Sequence, residues 1–305
     1  MTKLSDDLLE SVKTTITIPQ SQQLLTNTRI LAFANEEIDS KVVPMIMSLN
    51  QNYFAYQEDE AMTSGVDSYN IPYRAVGRTL RDLKITDSSG AIRDMSLIAL
   101  EDAHIFRTAA TPHGFYFMGD QIKIVPTPNS SGITLNKIYP LKPSTLVETS
   151  ASGRITARSG TTLTLDQVPS TFVANAMIDI IQGKQGNRIY NMDASITSAS
   201  GFQIVVSSAA TEVAIGDYVS LACQSPVVQL PDEVFPYLVF LTAKRCLEAI
   251  SDFEGAAAID KECLIRKKNC EMLLQPRIEG ESIKIMNRSG LIRGYRGRYM
   301  RGIVF

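Results

Sequence analysis

At 305 residues the chain exceeds the usual single-domain size, which predicts a main domain plus one substantial insertion or a second domain. Hydrophobic residues make up 44% and charged residues 20%, an ordinary globular balance that excludes wholesale disorder. The formal charge of −2 is unevenly spread: seven basic side chains face two acidic ones over residues 276–305, a net of +5, so the remainder carries −7. An acidic body with a cationic end can attract copies of itself, a second acidic protein, or a polyanion.

In chain order, the opening "MTKLSDDLLESVKTTI" has neither an uninterrupted apolar stretch nor a small-residue cleavage site, and no segment approaches the roughly 20 apolar residues that span a bilayer. The expectation is a protein that is neither secreted by a standard signal nor integral to a membrane. Residues 19–57 read as helix, with Leu24, Leu25, Leu31, Ala32 and Ile38 on one face. After Asp39-Ser40 a second stripe runs through Val42, Val43, Ile46, Met47, Tyr53 and Phe54, with Pro44 in its first turn. The acidic run Glu58-Asp59-Glu60 then reads as a solvated loop.

From residue 66 the period changes. "SYNIPYRA", "RTLRDLKITD", "GFYFMGDQIKIVP" and "GITLNKIYPLKP" are short β-rich runs separated by turn material, and "SLIALEDAHIF" between them reads as a short helix. Residues 148–224 are rich in Ser, Thr, Gly, Val and Ile, and their hairpin-like runs predict an inserted small β-sandwich or barrel. Helix returns after Leu230-Pro231-Asp232, with Phe235, Leu238, Val239, Thr242, Cys246, Ala249, Ile250 and Phe253 at three- and four-residue spacing. A second helix follows the turn at Asp252 to Gly255, with Ile259, Cys263, Cys270 and Leu274 inward, Arg266, Lys267 and Lys268 outward, and Pro276 as its stop. The fold class is therefore α+β: a helical-bundle core formed by both ends of the chain (1–147 and 225–276) with β-hairpins, an inserted β-domain at 148–224, and an extended basic arm at 277–305.

Residues that carry chemistry are sparse. His104 and His113 have no partner ligand at metal spacing, and Cys223, Cys246, Cys263 and Cys270 form no CxxC pair, so the thiols read as free and mostly buried. No GxSxG elbow or phosphate loop is present; "GKQGN" lacks the first loop glycine, since position 178 is Ile178, and reads as a hairpin turn. Asp82, Asp87, Asp94, Glu101 and Asp102 are explained by salt bridges and turn caps. No catalytic residue, cofactor or metal is expected. The strongest local feature is the end, "SGLIRGYRGRYMRGIVF": arginine interleaved with tyrosine suits phosphates and bases, whereas Ile303, Val304 and Phe305 suit a protein groove.

The order "LLTNTRILAFANEEIDSKVVPMIMSLNQNYF", "YNIPYRAVGRTLRDLKITDSSG", "FYFMGDQIKIVPTPNSSGITLNKIYPLKP" and "QLPDEVFPYLVFLTAKRCLEAISDFEGAAAIDKECLIRKKNCEMLL", closed by a basic arm, resembles the adaptor, or head-to-tail connector, proteins of tailed bacteriophages. The resemblance covers residues 20–147 and 225–305, with 148–224 as an insertion. It implies a non-enzymatic virion protein at the head–tail junction, made in the bacterial host cytoplasm. It further implies a homo-oligomeric ring matching the twelve-fold portal, contacts with the portal protein and with tail or nozzle proteins, and DNA passing through the lumen without specific binding. Carried onto this sequence, Arg288, Arg293, Tyr295, Arg296, Arg298, Tyr299, Arg301 and Phe305 would dock on the portal or a neighbouring subunit, and Glu58, Asp59 and Glu60 would line the lumen. The alternatives are another neck or tail-tube component, or a nucleic-acid-binding protein using the Arg/Tyr/Gly-rich end.

Overall fold

A computed structural model describes residues 3–16, 24–102, 112–184 and 189–274. The chain divides into two units, Met1–Gln275 and Pro276–Phe305, and the second lies outside the described residues. The first is mixed α+β, with a helical layer, two small sheets and a six-stranded closed barrel.

Helix α1 (Ser5–Ile16) is formed by a segment with Leu8, Leu9 and Val12 on one buried face. Helix α2 (Asn27–Glu37) starts at Thr26, whose hydroxyl accepts the Arg29 amide and so satisfies one of the free N–H groups of a helix start. Pro44 has no amide to give the preceding turn, and that turn, Ile38–Val42, opens into π form before α3 (Val43–Leu49). The helical reading of 19–57 is thus too long. Tyr53 and Phe54 continue the apolar stripe but sit beyond the helix end, and the loop expected at 58–60 is instead the middle of strand β1 (Ala55–Ala61).

Strands β2 (Ser68–Asn70), β3 (Asp82–Thr86), β4 (Ile92–Asp94), β5 (Ser96–Leu97), β6 (Gly114–Met118), β7 (Gln121–Val125) and β8 (Thr134–Pro140) follow. They form two four-stranded sheets, ordered β1-β8-β3-β4 and β2-β7-β6-β5. Period-two burial turns Leu83, Ile85, Leu135 and Tyr139 of the first sheet, and Ile122, Ile124, Phe115 and Tyr69 of the second, into one apolar cluster. The helix expected over "SLIALEDAHIF" is replaced by β5 and a 3-10 turn at Leu100–Asp102; residues 103–111 lie outside the described set. Asp87 caps the tight turn between β3 and β4 by accepting the amides of Ser89 and Ala91, as a turn carboxylate should.

Strand β9 (Thr145–Leu146) leads into the barrel, made of β10 (Gly153–Ser159), β11 (Thr162–Leu165), β12 (Met177–Ile181), β13 (Ile189–Ser200), β14 (Gln203–Val206) and β15 (Tyr218–Leu221). Closure runs β10-β11-β14-β13-β12-β15 and back to β10, where Gly153 pairs with Val219. Alternate residues, among them Ile155, Leu163, Ile178, Ile180, Ile196, Ile204 and Val219, fill the interior. The chain leaves through β16 (Gln224–Ser225), which pairs in parallel with β9, so entry and exit lie side by side.

Helix α4 (Phe235–Ala249) buries Leu238, Leu241, Thr242 and Cys246, and α5 (Phe253–Leu273) returns along it after Asp252 caps the Gly255 amide. Residues of α1, α2, α3, α4 and α5 share one apolar cluster. Cys263 and Cys270 face inward as the spacing predicts, but Arg266 departs from the expected outward position: its guanidinium lies 4.0 Å from the Phe240 ring centroid. Among the described residues no helix is long and apolar enough to cross a membrane.

Candidate functional site

The seam between the sheets and the barrel holds a cleft of about 670 Å³. One wall is the face of β1 and β8. Their antiparallel register sets Tyr56 opposite Tyr139 and Glu58 opposite Lys137, all on the cleft side. A second wall is the stretch after β2, with Tyr73, Arg74 and Arg78, and the third is Tyr190, Asn191, Met192 and Asp193 of β13.

Two buried cations organise these walls. Lys137, 3% exposed, donates to the Asn70 carbonyl at 2.9 Å and forms an ion pair with Glu60. Next to it the Tyr139 hydroxyl donates to Glu58 at 2.9 Å, and burial together with the Glu58 charge holds that phenol well above its usual range. Arg74 crosses from the sheets to the barrel. Its Nη1 and Nη2 donate to the two oxygens of Asp179 at 2.7 and 2.9 Å, Nη2 also reaches Asp193 at 2.6 Å, and Nε donates to the Tyr73 hydroxyl at 3.0 Å. Burial, the largest single influence, pulls the guanidinium toward neutrality, but the hydrogen bonds and charge of Asp179 together with the hydrogen bonds to Tyr73 and Asp193 outweigh it and raise its pKa further.

Asp179 is fully buried, and a buried carboxylate needs every lone pair occupied. Besides Arg74, it accepts the amides of Asp193 at 3.0 Å and Cys223 at 2.9 Å. Both donors sit at positive φ, 54° and 63°, a left-handed backbone that non-glycine residues rarely adopt. One carboxylate therefore gathers the body of the protein, the bend in β13 and the turn after β15.

Chemically, this arrangement is suited to fastening. The cleft is lined by three cations, Arg74, Arg78 and Lys137, and three carboxylates, Glu58, Glu60 and Asp193. Most of these are engaged with one another. Among the described residues no group of three His, Cys, Asp or Glu could hold a metal.

Of the residues singled out from sequence, Glu58 and Glu60 do reach this cleft, while Asp59, on the opposite face of β1, accepts from Asn136 and Gln57. The run is thus no single acidic surface: a strand sends its neighbours to opposite sides. Arg288, Arg293, Tyr295, Arg296, Arg298, Tyr299, Arg301 and Phe305 lie outside the described residues, as does His104. The backbone of His113 joins β7 and β5, its amide donating to Val125 and its carbonyl accepting from Ser96. All four cysteines are free; Cys246, Cys263 and Cys270 are buried and Cys223 is half-buried. The Arg74 and Asp179 pairing escapes a sequence reading. Its one local signal is a lone carboxylate set among Ile178, Ile180 and Ile181, where only a buried cation makes it tolerable. No model of a known protein family matches the chain, and no curated protein matches it either.

Proposed function

We propose that this chain is a structural virion protein of a tailed bacteriophage: an adaptor that forms a ring, twelve subunits to match the portal, and links the portal vertex of the capsid to the tail. Residues 277–305 form an extended arm that docks on the portal, and the opposite side of the ring offers a platform for tail or nozzle proteins. The observation that carries the reading is the joining of the two ends of the first unit, with α1 and α2 packed against α4 in one apolar cluster and all β elements looped out between them. That arrangement fits the order of elements on which the resemblance to adaptors rests, with the helical layer as the bundle core.

The fastening of the barrel supports the same reading. A buried, multiply bonded guanidinium between two parts is a rigid joint, and a connector that transmits load between head and tail needs one. A lumen role for Glu58, Asp59 and Glu60 is not part of the proposal, because Glu58 and Glu60 are turned toward Tyr139 and Lys137. The test is location: in electron microscopy of particles carrying a tagged copy, label confined to the head–tail junction supports the proposal. Label further down the tail favours a neck or tail-tube component, and label absent from the particle overturns both.

A further inference from the structure

Strand β1 ends its sheet. Cross-strand bonds fix which of its backbone groups are used: Leu141 donates to Phe54 and Met62 donates to Ile133, so with the register between them Tyr56, Glu58 and Glu60 turn their amides and carbonyls toward β8. On the other side of β8, Arg81 donates to Ile138, which is the alternation this requires. The backbone groups of Gln57, Asp59 and Ala61 point the other way, and among the described residues none has a backbone partner. This is an open edge of seven residues bordering a cleft.

An open edge invites another strand, and its side chains decide which one. Glu58, Asp59 and Glu60 repel a second β1, so two copies do not join edge to edge through this strand. A strand with cations two residues apart is favoured, because an added strand places every second side chain on the cleft side, opposite Glu58 and Glu60. The chain itself carries that spacing: Arg296 and Arg298 flank Gly297, in a segment of net charge +5.

We propose that the edge of β1 receives residues 293–301 of a second copy of this chain as an added strand, with Arg296 and Arg298 set against Glu58 and Glu60. The inference deepens the ring reading by assigning the arginine-rich part of the arm to the neighbouring subunit, which leaves the apolar end, Ile303 to Phe305, for the portal. The contact is head-to-tail: one surface gives the arm and a different one receives it, the geometry that closes into rings.

The test needs no portal, so its failure and the failure of the adaptor reading are separate results. A labelled synthetic peptide of residues 290–301 is titrated into the full chain carrying Arg296→Glu and Arg298→Glu, which removes competition from the resident arm. Binding is expected, weakening with salt and falling about tenfold or more when Glu58→Gln and Glu60→Gln are added. Gln57→Pro is the second variant: it removes one amide on the open side and leaves the pairing with β8 untouched, so the sheet keeps its thermal stability while peptide binding is lost. Binding that survives Gln57→Pro, or no binding at all, overturns the added strand. In sedimentation of the full chain, association that disappears with either Gln57→Pro or Arg296→Glu/Arg298→Glu identifies the second copy as the occupant. A chain that stays monomeric at every concentration overturns that assignment.

Discussion

Arg74 and Asp179, 105 residues apart in the chain, meet in a two-pronged ion pair with N–O distances of 2.7 and 2.9 Å, and their side chains are 6% and 0% exposed. A buried pair of this kind adds little net stability over a well-packed apolar substitute, yet removing one member strands the other without water.

The first prediction follows from that asymmetry. Arg74→Met leaves Asp179 and Asp193 facing each other and should cost about 3–5 kcal/mol in urea or thermal unfolding. The triple change Arg74→Met, Asp179→Leu and Asp193→Asn should recover part of that loss. If Arg74→Met alone unfolds like the parent chain, the joint between sheets and barrel is not held in this way.

Alkaline stability gives a second. Burial pushes Cys246 up to about 12, Cys263 up to about 11 and the Tyr237 phenol up to about 12. In each case the folded value lies above the unfolded one, so the unfolded state loses its protons first and stability falls as pH rises. The helical layer should therefore hold its full stability below about pH 8.5 and loosen progressively from there toward pH 12. Circular dichroism of the helices against pH checks this, and a flat profile up to pH 12 would contradict it.

Thiol chemistry offers a third measurement at neutral pH. Cys223 is half-buried and the other three thiols are buried. A thiol reagent on the native protein should label Cys223 rapidly and Cys246, Cys263 and Cys270 only on unfolding. Mass mapping that finds Cys263 or Cys270 labelled as fast as Cys223 would show that α5 does not close over α4.

Barrel closure supplies a fourth. A Cβ on Gly183 would fall against the backbone carbonyl of Gly216, which has no side chain to swing aside, so Gly183→Ala should destabilise the protein by about 1–3 kcal/mol. Gly160 has open space around it and a φ of 59°, so Gly160→Ala should cost about 1 kcal/mol, from backbone strain alone. Equal costs in chemical unfolding would mean that the approach of residues 183 and 216 is slack.

Much of this fold is legible in local pattern. The hairpins of the barrel announce themselves because β-rich runs alternate around turn glycines such as Gly160 and Gly201, whose positive φ the turns need. Helix α4 shows in the three- and four-residue spacing of Phe235, Leu238, Val239, Thr242 and Cys246, and α5 in the inward positions of Cys263 and Cys270. What escapes is set by partners distant in sequence. Strand β1 hides because the side chains that face inward are Tyr56, Glu58 and Glu60, acceptable there only because Lys137 and Tyr139 stand opposite them on β8. Helix α1 hides behind a short stretch whose Leu8, Leu9 and Val12 acquire meaning when α4 packs on them. The joint at Arg74 leaves only one local trace, Asp179 among its isoleucines, and nothing near Arg74 itself, since its carboxylates lie more than a hundred residues away.

The proposed docking of this chain on a portal through its arm is tested most directly by co-sedimentation with the portal protein encoded by the same genome, comparing the full chain with one ending at Gln275. Stoichiometric binding by the full chain, lost on truncation, is the predicted result. A full chain that leaves the portal unbound would contradict the proposal.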